Sequence, residues 1–125
     1  MTDPGEIRRG DIVLASIRFP TAPEQMKLRP AVVVQNDVGN RFSPNIIVAA
    51  ISSQLPSRSY PTNLIIRLGS DLHDGTGLDR DSVVQGENIA TVSKRQIAQR
   101  VGRFGDAAMG LIDECLRVSL ALQRR

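Results

Sequence analysis

Five short apolar runs set close together, followed by two stretches with helical spacing, predict an α+β fold built on a small curled sheet or barrel. The chain of 125 residues is 41% apolar and shows neither a linker nor an internal repeat, which predicts one domain over residues 1–125. With no Trp, one Tyr and three Phe, its core must be assembled from Val, Ile, Leu and Ala.

Residues 11–17, DIVLASI, are short, apolar and partly β-branched, and suit a first strand. Residues 19–28, FPTAPEQMKL, hold two prolines and little periodicity, and read as a loop. A second strand, PAVVVQN, ends in polar Gln35 and Asn36 and gives way to a turn cluster over residues 37–45. The nearly continuous apolar run NIIVAAISS suggests a third strand buried on both faces or closed into a small barrel. After the loop 54–62, NLIIRL gives a fourth strand, and residues 69–80, GSDLHDGTGLDR, are the most turn-rich stretch of the chain. The fifth strand region, DSVVQGENIATVS, is interrupted by Gly86, which points to a bulge or bend. SKRQIAQRV then has helical spacing with Ser93 as N-cap, predicting a short helix. A final helix starts near Asp106, the expected N-cap, with a stripe of Met109, Ile112, Leu116 and Leu120 beside Ala108 and Cys115.

Sixteen basic and 13 acidic residues leave a net charge of +3, a weak pointer to a polyanionic partner. The basic residues gather at Arg8 and Arg9, at Lys27 and Arg29, over residues 94–103, and at Arg124 and Arg125. A solvated face accounts for the last two groups equally well. The first residues lack the apolar segment of a secretory signal, and no run approaches the ~20 apolar residues of a membrane span. The single cysteine, Cys115, cannot form an internal disulfide and reads as a packed core thiol in a reducing cytoplasm. His73 lies among Asp71 and Asp74 without recognisable metal-ligand spacing, and CxxC, GxGxxG, Walker and GxSxG motifs are missing. Metal, nucleotide-cofactor and triad-hydrolase chemistries are therefore not expected.

Arg29, in KLRPAVVVQN, precedes a proline and an apolar run. A guanidinium is permanently charged and carries five donors in a rigid fork, so at the mouth of a strand it is either a solvated charge or a fixed anion holder.

Taken together, RRGDIVLASIRFP, EQMKLRPAVVVQND, NIIVAAISSQ, SYPTNL and DSVVQGENIATVSKRQI resemble the MazF/PemK toxins of type II toxin–antitoxin systems. The resemblance runs in order over nearly the whole chain, and RGDIV, EQxxxRPAVVVQND and VAAISSQ are its most specific parts. It implies a five-stranded SH3-like barrel with a C-terminal helix, working as a homodimer. It further implies metal-independent cleavage of single-stranded RNA to 2′,3′-cyclic phosphate and 5′-hydroxyl ends, and a cognate antitoxin that blocks the groove.

On this resemblance Arg29 matches the family's catalytic arginine, and its fork suits two phosphate oxygens at once. Ser52 stands where the family usually has threonine, and keeps the hydroxyl that donates to a phosphate oxygen. A strand-end serine bonded to its own backbone is the plainer alternative. Ser53 is a second candidate for the same surface. Glu24 and Gln25 match the family's EQ, as base contacts or as supports for the arginine, while Pro23 replaces a serine found in many relatives. Glu87 and Asn88 are candidates for contacting a base, Glu87 also for a general base. Ala90 replaces an arginine common in relatives. Phe19, with Phe42 and Tyr60, could stack on a base, although half-buried packing explains each. A non-enzymatic toxin of the same fold that binds DNA gyrase, as CcdB does, is the alternative, and a catalytically dead binding barrel a third.

Overall fold

The computed structural model describes residues 6–18 and 27–123. Six strands, β1 (Asp11–Ile17), β2 (Lys27–Val33), β3 (Asn45–Ser52), β4 (Asn63–Ile66), β5 (Ser82–Ser93) and β6 (Ile97–Arg103), form one antiparallel sheet in the order β4-β5-β3-β2-β1-β6. A one-and-a-half-turn helix, α1 (Asp37–Phe42), joins β2 to β3, and α2 (Asp106–Ser119) follows β6. The α+β class is as expected, but among the described residues the sheet has six strands rather than five, and no ladder joins its outer members β4 and β6 into a closed barrel.

The additional strand is β6, in the stretch whose spacing predicted a helix. Only Lys94–Gln96 is helical, a single 3-10 turn. Ser93 does cap it: its Oγ accepts from Arg95 N–H at 3.2 Å, and Gln96 Oε1 accepts from Ser93 N–H at 2.7 Å. Beyond it Ile97 is buried and pairs with Ala15, because β1 needs a partner along its second edge, and tertiary pairing outweighs a short periodic pattern. Conversely, α1 lies where a turn cluster was expected. Its N-cap Asn36 accepts from Gly39 N–H at 2.8 Å, and buried Asn40 donates to Gln35 O at 2.9 Å and Asp37 Oδ1 at 3.0 Å. Six residues are too few for a readable stripe. The N-cap of α2 is Gly105 rather than Asp106, which sits in the first turn, and Leu120 lies past the helix and exposed. The buried face of α2 is Ala108, Ile112, Cys115 and Leu116.

Alternation along the strands produces two cores. On one face Val13, Ala15 and Ile17 of β1 meet Ala31, Val33, Ile46, Val48, Ala50, Val92 and Ile97. Among the described residues no helical residue joins this cluster, and the sheet buries that face by curling over itself. On the other face Ile12, Val32, Ala49, Ile51, Ile66 and Val84 pack with Phe104 and with Ala108, Ile112 and Leu116 of α2. From Val48 to Ile51 β3 is buried on both faces, which explains that part of its apolar run, whereas Ile47 is exposed.

The RGD stretch before β1 fastens these layers. Arg9 N–H donates to Asp37 Oδ1 at 2.7 Å, Arg9 Nε to Val34 O at 2.9 Å, and its terminal nitrogen to Asp113 Oδ1 at 2.7 Å. One residue thus ties the end of β2, α1 and α2. Asp11, fully buried, accepts from Arg8 N–H at 2.8 Å and from Arg100 at 3.5 Å.

The turn-rich 69–80 stretch is a strap across the outer edge of β6. Arg103 N–H donates to Gly75 O at 3.0 Å. The backbones approach so closely that a Cβ on Gly102 would collide with the Thr76 carbonyl, and one on Gly77 (φ +72°) with that of Val101. His73 pins the strap from within, Nδ1 accepting from Gly69 N–H at 3.3 Å and Nε2 lying 2.6 Å from Leu78 O. With Nδ1 accepting, Nε2 is the ring nitrogen that donates to the Leu78 carbonyl. His73 is thus a structural loop residue, and the strap covers an edge that would otherwise offer unpaired backbone groups.

Gly102→Ala is expected to lower stability by about 1–3 kcal/mol, because backbone rather than a flexible side chain must yield. Denaturant unfolding of the two proteins measures it. Asp37, held by the Arg9 N–H and by Asn40, has its carboxyl pulled below the ordinary value of 3.8. Asp81 is shifted the same way by Leu68 N–H and Arg67. A carboxyl lowered on folding contributes fully above its unfolded value, and that contribution fades as pH falls through the lowered native one. Thermal midpoints should therefore drop as pH falls below about 4, and Asp37→Asn should remove part of that dependence.

Candidate functional site

The groove begins where β2 and β3 part company. β1 pairs with residues 27–32 of β2, but β3 pairs only with residues 31–33. Pro30 stands at the parting, and with no N–H to donate it cannot extend the ladder toward β3. The first half of β2 and the end of β3 line opposite sides of a cleft of about 1060 Å³. Lys27, Leu28, Arg29 and Pro30 line one side and residues 50–54 the other.

Arg29 lies inside β2, opposite Ala15, rather than before the strand as its sequence suggested. Its side chain lines the cleft, and its Nε is buried with no hydrogen-bond acceptor among the described residues. A buried donor left unpaired costs about 1–3 kcal/mol, more on a charged group, so the arginine is not there to stabilise the fold. The position calls for an acceptor carrying negative charge. Continuing the β2–β3 register by two residues sets Arg29 opposite Ser52. Ser52 Oγ accepts from Gln54 N–H at 3.1 Å, the local backbone bond weighed from the sequence. That bond uses a lone pair and leaves the hydroxyl proton to donate, so the two readings of Ser52 are compatible. Ser53 lines the cleft beside it.

Glu87 and Asn88 come to the cleft on a bulge. Ala49 and Ala50 are consecutive in β3, yet their partners in β5 are Ile89 and Gln85, so the three residues 86–88 loop out of the ladder. Gly86 permits it: a Cβ there would stand 2.8 Å from Thr62 O and 3.1 Å from Cys115 Cβ, where helix α2 backs the bulge. Asn63 Nδ2 donates to Glu87 Oε1 at 2.7 Å, and Asn88 Nδ2 to Gln85 Oε1 at 3.2 Å. Gln85, Glu87 and Asn88 all line the cleft. Beneath them Cys115 is a buried core thiol, its pKa pushed up by burial and by nearby Glu87 and Glu114.

The strap supplies the remaining wall through residues 77–80, with Asp79 and Arg80 paired to each other at 3.2 Å. Gln54, Gln85, Asp79 and Arg80 were not anticipated from the sequence. The strap reaches the cleft by packing on β6, the strand whose spacing predicts a helix. The candidates Phe19, Glu24 and Gln25 lie outside the described residues. Tyr60 and Phe42 are exposed and do not line the cleft; Phe42 carries the Arg41 guanidinium 5.3 Å over its ring. Ala90 packs against the inner core.

Fold and cleft define a class: a curled, helix-backed α+β sheet with an open cleft whose wall carries a buried, unpaired arginine donor. The model of the PemK-like, MazF-like toxins of type II toxin–antitoxin systems matches residues 8–120, and the chain belongs to that family. It is 39% identical over 116 residues to endoribonuclease EndoA of Bacillus subtilis (strain 168), covering 93% of this chain and 96% of the relative. A mycobacterial endoribonuclease solved in complex with its cognate antitoxin shares the fold with a TM-score of 0.75 at 19% identity, covering 95% of this chain and 99% of that one. MazF from Deinococcus radiodurans does so with a TM-score of 0.69 at 16% identity, over 93% and 97% of the two chains. These similarities do not favour the gyrase-binding alternative.

Removing the unpaired donor should not harm the fold. Arg29→Met is expected to leave stability unchanged or raise it by about 1 kcal/mol, as read by denaturant unfolding.

Proposed function

We propose that the protein is a toxin endoribonuclease that cuts single-stranded RNA in this cleft. The observation that carries this reading is the buried, unpaired Nε of Arg29 on the cleft wall, in a chain 39% identical to an endoribonuclease. In the reaction a 2′-oxygen attacks the adjacent phosphorus and the bond to the 5′-oxygen breaks. The products are a 2′,3′-cyclic phosphate and a 5′-hydroxyl, the 2′-hydroxyl having lost a proton and the 5′-oxygen gained one. Negative charge grows on the non-bridging oxygens as the phosphorane forms. Arg29 meets that charge with two parallel donors, and the Ser52 hydroxyl adds a third. Arg29 acts as an electrostatic clamp rather than a proton carrier, because a guanidinium is a permanent cation that holds its protons too firmly to pass one on readily. The chemistry draws on no metal or other cofactor.

Lys27 and Arg80 widen the basic surface for flanking phosphates. Ser53, Asn88 and Gln85 offer hydrogen bonds to bases, and Glu24, Gln25 and Phe19 would join them from the preceding segment. A cognate antitoxin would occupy the same cleft through an acidic or amphipathic segment that orders on binding, its carboxylates meeting Lys27 and Arg29. The fold relative solved with its antitoxin supports such a partner. The active form is a homodimer, as the family resemblance implies, and Val38 and Phe42, exposed on α1, offer apolar surface for an interface. The protein acts in the cytoplasm as a single domain. Among the described residues no helix is long and apolar enough to cross a membrane.

Purified wild type and Arg29→Ala, incubated with mixed-sequence single-stranded RNA in excess EDTA, provide the test. Wild type should give discrete cuts with cyclic phosphate ends, and the variant should be slower by about 100–1,000-fold. Cutting that survives Arg29→Ala would remove the arginine from the chemistry, and a requirement for divalent metal would remove the mechanism.

A further inference from the structure

Glu87 does not stand free on the cleft wall. Asn63, the first residue of β4 and not itself part of the cleft lining, donates to Glu87 Oε1 at 2.7 Å. Asn63 is fixed in turn by the β4–β5 ladder, where it pairs with Gln85 at the root of the bulge. The bulge is clamped from the same side by Gly86 N–H donating to Thr62 O at 2.8 Å. A carboxylate only accepts hydrogen bonds. With one oxygen committed to Asn63, the group is held as an acceptor of defined direction on the cleft wall.

Single-stranded RNA is read through the edges of unstacked bases. Exocyclic amino groups of adenine, cytosine and guanine are the natural donors for such an acceptor. Uracil offers its N3–H only between two carbonyl oxygens, whose lone pairs would confront the carboxylate. We propose, on the ribonuclease reading above, that Glu87 and Asn63 form a base-reading pair. Glu87 accepts a hydrogen bond from the exocyclic amino group of one base in the cut sequence, and Asn63 is the positioning residue that aims it. This assigns Glu87 to recognition rather than to proton transfer. A general base would be needed for every substrate, whereas a reader matters only where its base carries the amino group.

The test starts from the cut sequence mapped for the wild type. The parent oligonucleotide is compared with versions in which each amino-bearing base is replaced singly by an analogue lacking the group. Purine riboside replaces adenosine, inosine replaces guanosine, and 2-pyrimidinone riboside replaces cytidine. At one position the replacement should lower wild-type kcat/KM by about tenfold to hundredfold. In Glu87→Ala and Asn63→Ala that preference should collapse to within about threefold, which a general loss of stability would not produce. Wild type that cuts but is indifferent to every replacement overturns the proposal, as does an undiminished preference in Glu87→Ala. An equal loss on parent and analogue in Glu87→Ala, with the preference intact, overturns it too by placing Glu87 in the chemistry. Failure of the folded wild type to cut any RNA overturns the ribonuclease reading and the base-reading pair together, and is distinguishable because no cut sequence exists.

Discussion

The β2–β3 ladder stops after three residue pairs, and the existence of the cleft rests on that early stop. Had the two strands stayed paired, Arg29 and Ser52 would sit in adjacent rows of a continuous sheet with no room between them. Because Pro30 cannot donate toward β3, the strands part, and the space between them becomes the cleft. Arg29 Nε, on the wall of that cleft, has no partner among the described residues, so the opening carries an unpaired donor on a charged group. The strand pair stays rigid beyond the parting, where Ala31, Val32 and Val33 are fully buried. The arginine is therefore aimed by a core rather than by a loop, the arrangement that precise positioning of a phosphate requires.

The rest of the fold supplies walls. The sheet curls over its inner core without a helix, α2 covers the outer core, and the 69–80 strap seals β6 while adding residues 77–80 to the cleft. The charges are divided by task. Arg9 and Asp11 serve the architecture, linking the first strand to both helices and to β6. Lys27, Arg29, the Arg80–Asp79 pair and Glu87 face the cleft. A net charge of +3 conceals this division, since many of the remaining charges pair with each other on the surface, as Arg67 does with Asp81 and Arg117 with Glu114.

Much of this was legible in the sequence because alternation and turn residues report directly on strands. The first five strand regions stood out, as did the break at Gly86 and the buried stripe of α2 around Ile112. Arg29 and Ser52 could be named because the motif surrounding them is local. What escaped was set by distant partners. Residues 97–103 carry a pattern compatible with either period, and only the open edge of β1 makes them a strand. The strap's contribution to the cleft depends on that strand, so Asp79 and Arg80 were hidden with it. Asn63 gave no signal either, since its role is a hydrogen bond to a residue 24 positions away. The motif Arg-Gly-Asp looked like a marker of family, and its physical meaning, a knot between layers, came only with the contacts of Arg9.

Gly86 leaves no space between the bulge and helix α2, whose Cys115 is the nearest side chain. The helix is therefore the floor on which the residues proposed to contact bases stand, although none of its residues lines the cleft. Sequence drift on the buried side of this helix would tilt that floor and retune which RNAs are accepted while every cleft side chain stayed the same. Diversity of target within such a fold has a route through packing as well as through contact.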